Sequence, residues 1–131
     1  MRGFVLIPLL LAGVAEAQSP DIALGETVFQ SFCAACHGPS AKGDGPTAKV
    51  LTVAPPDLTR LARDNGGVFP MFRVVRQIDG RDPTLQHGGQ MPLFGALFDF
   101  PDGAIASETG QPIITAQPIA DIAAWLATVQ R

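Results

Sequence analysis

The strongest constraint in this chain is Cys33-Ala34-Ala35-Cys36-His37, which holds both cysteines of the 131-residue sequence three positions apart. A disulfide between them would close so short a loop that it would restrain almost nothing of a whole domain. The thiols need another use.

The compartment narrows that use. Arg2 gives a positive start, Phe4 to Val14 form an apolar run broken only by Pro8 and Gly13, and Ala15-Glu16-Ala17 fits a signal peptidase site. Residues 1–17 are therefore expected to be a cleaved signal peptide, with the cut between Ala17 and Gln18 and export to the periplasm. The apolar run is shorter than the roughly 20 residues that span a bilayer. No cysteine stands at the cut to take a lipid. The expected mature chain, residues 18–131, is a single domain of 114 residues with no membrane span.

Its charge is uneven. Seven bases lie between Lys42 and Arg81 against four acids, whereas from Asp82 onward five acids face only Arg131. Such asymmetry suits an oriented encounter with a charged protein, and equally fits ordinary solvated faces. The formal net charge of −3 and the lack of any basic run argue against nucleic acid.

Along the chain, Ser19-Pro20-Asp21 reads as a helix start with Ser19 as N-cap. Ile22, Gly25, Phe29, Phe32, Cys33 and Cys36 then follow helical spacing to a stop near Gly38-Pro39. Residues 38–56 read as loop, and Asp57 to Arg63 as a short helix ending at Asn65-Gly66-Gly67. Met71, Val74, Val75 and Ile78 mark a helix that begins at Phe69-Pro70 and ends at Gly80. Residues 81–114 read as irregular, without convincing alternation. Ile119, Ile122, Leu126 and Val129 then mark a last helix, starting near residues 115–118, with Trp125 beside them.

A few short helices joined by long Gly/Pro loops cannot close a good core of this size unaided. Loops of that length also commonly line a site. A large flat apolar cofactor resolves both points, and Cys-x-x-Cys-His is the attachment sequence of c-type haem. Two thiols one helical turn apart can each add to a porphyrin vinyl group, and the next histidine then lies under the ring centre. Small residues at Ala34 and Ala35 leave the haem edge clear. A thioredoxin-type thiol pair would need a βαβ pattern around it, which is not visible. Zinc would need a fourth ligand beside Cys33, Cys36 and His37.

At these residues the chain resembles the class I c-type cytochrome family, over nearly all of residues 18–131. The resemblance rests on Gly25, Phe29, Cys33, Cys36, His37 and Gly38. The loop from His37 to Pro46 also looks like the bacterial CHG…GDGP version. The resemblance implies an all-α cytochrome c fold, with about four short helices and long Gly/Pro loops around one covalent haem c. It implies a close crossing of the first and last helices at Gly25 and Phe29, with Trp125 packed there. It also implies that the Pro46 carbonyl meets the second nitrogen of His37, fixing tautomer and ring orientation, while the residue by itself reads equally as a simple loop stiffener.

His37 and Met91 are the expected iron ligands. Met91 stands 54 residues after His37 in a Gly-Gly-Gln-Met-Pro segment similar to the family's axial-methionine loop. A thioether opposite histidine raises the potential. His87 is a rival ligand that would give a lower-potential bis-histidine haem. Met71 is a second rival, although its helical spacing points to packing. The segment from Phe98 to Pro112 is longer than the shortest relatives need, and reads either as a docking surface or as cover for the haem edge.

The expected function is one-electron transfer between redox proteins, as a monomer with transient donor and acceptor contacts and no catalysis of its own. Two alternatives stay open: a haem subunit bound to a periplasmic oxidoreductase, and a ligand sensor with an open sixth site.

Overall fold

The computed structural model describes residues 18–81 and 91–131. The expected leader, residues 1–17, and His87 therefore lie outside the described residues.

The first helix, α1 (Ile22–Phe32), starts two residues later than Ser19 predicts. Asp21 is the cap, its carboxylate accepting from the Leu24 N–H at 3.0 Å and so satisfying one of the free N–H groups of the first turn. Gly25 and Phe29, one turn apart, are its buried residues. They meet the last helix, α5 (Gln117–Thr128), whose Ile119, Ala120, Ile122, Ala123, Trp125 and Leu126 are all buried. A Cβ built on Gly25 would lie 2.0 Å from the Asp121 carbonyl oxygen, so only glycine allows the two backbones to approach this closely. The Phe29 and Trp125 rings fill the next turn, with centroids 4.6 Å apart. The helix crossing and its aromatic pair are where the family resemblance implies them.

Asp121 joins the same crossing from its polar side. It is fully buried, and its Oδ1 accepts from the Asp21 N–H at 2.8 Å and from Gln117 Nε2 at 2.7 Å. Removing its partners would leave a buried carboxylate unsatisfied.

A second helix, α2 (Ala34–His37), follows α1 after a break at Cys33. The third, α3 (Met71–Asp79), lays Val74, Val75 and Ile78 against the core and stops at Gly80, whose φ is +70°. Each fully buried aliphatic side chain of this kind stabilises the fold by about 1.5–3 kcal/mol. The helix expected over residues 57–63 is instead two 3-10 turns, Leu58–Arg60 and Arg63–Asn65.

The fold is mostly helical, as predicted, with two additions in the segment read as irregular. One is a single helical turn, α4 (Phe94–Leu97). The other is an antiparallel hairpin of β1 (Gly103–Ala106) and β2 (Pro112–Thr115), in register Gly103 opposite Thr115 and Ala106 opposite Pro112. Strand β2 buries Ile113 and Thr115 while Ile114 stays 65% exposed. At its tip Glu108 accepts from the Phe72 N–H at 3.0 Å, so the hairpin supplies the cap that α3 lacks from its own Pro70.

Candidate haem site

The site grows from the end of α1. Cys33 closes that helix, its N–H donating to the Phe29 carbonyl at 2.8 Å, and the next turn carries Cys36 and His37. Both cysteines are free, with Cys33 buried and Cys36 half-buried. Five consecutive carbonyls are then taken in turn. Cys33 O accepts from Cys36 and His37, and Ala34 O from Gly38. The returning loop supplies the rest: Thr47 N–H to Ala35 O at 3.0 Å, Gly45 N–H to Cys36 O at 3.1 Å, and Gly43 N–H to His37 O at 2.7 Å. A single helical turn is marginal alone; here the loop holds it from its C-terminal end.

The loop adopts backbone shapes that ordinary residues avoid. Gly43 has φ +79°, and a Cβ there would lie 2.3 Å from the Pro55 carbonyl oxygen and 3.0 Å from that of Pro56. Ala41 is the only non-glycine with positive φ among the described residues, at 58°. It is fully buried, and its carbonyl accepts from the Leu58 N–H at 2.8 Å. Conformations of this type persist only where the surroundings over-determine them.

The Cys33 thiol is set up for a neutral state. Burial first, and the neighbouring Cys36 second, push the Cys33 thiol up to about 11. A dithiol oxidoreductase works the other way, by stabilising a thiolate, so the geometry disfavours that reading. The Thr47 hydroxyl lies 3.1 Å from the Cys36 sulfur and 2.7 Å from the Ala35 carbonyl oxygen. Among the described residues no group of three His, Cys, Asp or Glu is placed to hold a metal ion.

His37 is held neutral. Burial lowers its pKa below 6.5, and the Pro56 carbonyl beside the ring opposes that shift. Nδ1 is buried and closes no hydrogen bond of ordinary geometry. The carbonyl that bears on the ring is thus that of Pro56, ten positions beyond the expected Pro46. The signal for it in the sequence is Pro55-Pro56, two residues that lack an N–H and leave their carbonyls as the only backbone polar groups.

Two thiols and a neutral imidazole on one rigid turn fit a group that takes two thioether bonds and one nitrogen ligand. A buried orphan nitrogen beside a backbone carbonyl fits the pairing that orients a ligating histidine. Met91 is half-buried and packs against the apolar cluster that contains Cys33, Val74 and Phe94. Met71 also packs on that cluster, from α3. Three side chains of the predicted set, Cys33, Cys36 and His37, thus share one turn, while Met91 reaches the same core from a distant segment.

The sequence model of the cytochrome c family matches residues 22–130. Among solved structures, the fold is similar to a chain of the reducing HAO-like protein complex Kustc0457/Kustc0458 of Kuenenia stuttgartiensis, with a TM-score of 0.56 and 18% identity. The likeness covers 88% of this chain and 45% of that one, so this chain spans under half the length of its structural neighbour. Comparison with proteins of curated function returned no match. The family model takes in α1 through α5, including the attachment turn, and the chain belongs to the cytochrome c family.

Proposed function

We propose that this chain is an exported one-electron carrier whose single haem c is joined by thioethers to Cys33 and Cys36, with His37 and Met91 as the iron ligands. Family membership carries haem c and electron transfer with it. The observation that best supports the finer reading is the attachment turn itself. Its five carbonyls are all bonded, its thiols are free, and its histidine is neutral with Nδ1 buried and unpartnered. When bound, the haem supplies a one-electron iron couple. The chain's part is to fix the imidazole, keep water from it, and carry a thioether on the Met91 segment.

Residues 1–17 are the proposed leader, cleaved before Gln18 so that the thiols meet haem in the periplasm. Among the described residues no helix is long and apolar enough to cross a membrane. Donor and acceptor are proposed to be redox proteins that dock briefly on a monomer. A second reading is a haem subunit held in a periplasmic oxidoreductase. It draws on the complex to which the structurally similar chain belongs.

The test begins with covalent attachment. Haem should stay on the denatured protein, and Cys33→Ala with Cys36→Ala should release it. In the oxidised wild type, a weak far-red sulfur-to-iron band should be present and should vanish in Met91→Ala. A band that survives in Met91→Ala and vanishes in Met71→Ala would move the sixth ligand to α3. Rapid, complete binding of carbon monoxide to the reduced protein would overturn the closed-iron carrier.

A further inference from the structure

We infer that Arg131, with Gln130, Thr59 and Asp57, forms a clamp that positions the Pro56 carbonyl against the His37 ring. This rests on the reading of His37 as an iron ligand. Arg131 is thereby a positioning residue for the haem, acting from the far end of the chain through segment 57–62.

The clamp is continuous. The Arg131 N–H donates to the Thr59 carbonyl at 2.9 Å, its Nε to the Thr59 hydroxyl at 2.7 Å, and its Nη2 to Asp57 Oδ2 at 3.0 Å. Thr59 is buried, and both its N–H and its hydroxyl donate to Asp57 Oδ1. Gln130 grips the same segment from both sides of its amide. Its Nε2 donates to the Leu58 and Leu126 carbonyls at 2.8 Å each, and its Oε1 accepts from the Ala62 N–H at 2.9 Å. Four of the links from Gln130 and Arg131 fix the segment at Asp57, Leu58 and Thr59, and a fifth fixes it at Ala62.

The mechanical path to His37 is short. Asp57 is bonded directly to Pro56. Pro55 and Pro56 have φ locked by their rings, so the direction of the Pro56 carbonyl depends on Pro56 ψ and Asp57 φ. The clamp holds the Asp57 side chain, and the Leu58 N–H is pinned to the Ala41 carbonyl at 2.8 Å. The peptide between Pro56 and Asp57 is therefore held from its C-terminal side. On its other side the Pro55 and Pro56 carbonyls press into the space that Gly43 leaves open, while the Gly43 N–H holds the His37 carbonyl. The acceptor and the orphan nitrogen are thus fixed to one frame, one by the end of α5 and the other by the end of α1. Because α5 crosses α1 at Gly25, the clamp and the attachment turn share a rigid base.

A carbonyl that accepts from the distal nitrogen raises the basicity of a ligating histidine and so favours the ferric state. Loosening the clamp should weaken that effect and raise the midpoint potential. The experiment uses the haem-loaded full chain, with covalent haem first verified on the denatured protein. In the haem-loaded chain the Pro56 carbonyl is expected to accept from the His37 Nδ1–H. Arg131→Ala and Thr59→Val should both raise the potential, and that N–H should exchange with solvent roughly fivefold faster, the change expected when one net hydrogen bond is lost. Arg131→Lys keeps a donor for Asp57 and should give a smaller shift in the same direction. It also supplies the answer if Arg131→Ala fails to fold. Asp79→Asn breaks an ion pair of similar kind, the 2.7 Å contact with Arg81, outside the 57–62 segment. It should leave the potential unchanged. Covalent haem with wild-type potential in all clamp variants would overturn the clamp alone. Absence of covalent haem in the wild type would overturn the ligand reading and the clamp with it.

Discussion

Two regions meet at the haem site and are stabilised in different ways. The α1–α5 crossing is apolar and interlocked, with Gly25 against the Asp121 carbonyl and Phe29 on Trp125. The chain from Gly38 to Ala62 has little regular structure and is held by polar bonds to its neighbours, from α2 at one end and from Gln130 and Arg131 at the other. Packing of the first kind is cooperative and costly to disturb. A polar loop of the second kind contributes less to stability, since each hydrogen bond is worth only about 1 kcal/mol net. It does, however, aim the groups that set the chemistry. Damage to the crossing should therefore appear as lost stability at constant potential. Damage to the loop should appear as a shifted potential with a smaller loss of stability.

The largest break is Phe29→Ala. Phe29 is 1% exposed, and removing a buried aromatic ring costs about 3–5 kcal/mol. Thermal unfolding of the haem-loaded protein should show this loss, while molecules that remain folded keep the wild-type potential. Gly25→Ala should follow at about 2–3 kcal/mol, because the added methyl meets backbone, which cannot rotate away. A stability within about 0.5 kcal/mol of wild type for Gly25→Ala would mean that the helices part without penalty, against the crossing described here.

Gly43→Ala tests the loop. It puts a side chain at φ +79°, directly against the Pro55 carbonyl. The expected loss of stability is about 1–2 kcal/mol, smaller than for either helix variant. The potential should nevertheless move upward, because the Pro56 carbonyl must yield its place beside His37. A large stability loss with an unmoved potential would reverse the assignment of roles to the two regions.

The same contrast explains what could be read in the sequence. The two helices of the crossing are written in local spacing, Gly25 and Phe29 one turn apart and Ile119, Ile122 and Leu126 three or four apart, while their meeting at Gly25 and Trp125 is what the family resemblance implies. Periodicity of that kind survives folding because each helix buries the stripe it displays. The attachment turn is legible for the same reason, since Cys33, Cys36 and His37 act within one turn. The loop is different. Pro46 and Pro56 look alike as residues, and which carbonyl reaches His37 depends on Leu58 meeting Ala41 and Arg131 meeting Asp57, contacts between distant positions. The hairpin was hidden by composition. Gly103-Ala-Ile-Ala and Pro112-Ile-Ile-Thr do not alternate between apolar and polar, and only Thr109-Gly110 between them hints at a turn. The cap of α1 falls to Asp21, two residues beyond the expected Ser19, because its carboxylate reaches the Leu24 N–H.

The smallest expected effect is in acid, and it sharpens the loop side of the comparison. Asp57 has its carboxyl held below the ordinary value of 3.8, first by the Thr59 hydroxyl and then, against the opposing effect of burial, by the Thr59 N–H and the Arg131 guanidinium. A carboxylate whose folded pKa lies below its unfolded one stabilises the fold fully above the unfolded value, and loses that contribution as pH falls through the folded value. Wild type should therefore exceed Asp57→Asn in stability by a constant margin at neutral pH, and the margin should shrink progressively as pH falls from about 5 through the ordinary value of 3.8 toward the lower folded value. Asp79, held low first by the Arg81 side chain, titrates in the same direction, so Asp79→Asn serves as the reference for acid loss unconnected to His37. Denaturant midpoints of the three proteins at about pH 7 and about pH 3 measure both margins. The potential adds what stability cannot. Acid should move the potential of wild type toward that of Asp57→Asn, and should leave the difference between wild type and Asp79→Asn at zero throughout. A margin for Asp57→Asn that persists undiminished at about pH 3 would mean that the carboxylate's charge is not what holds segment 57–62 in place.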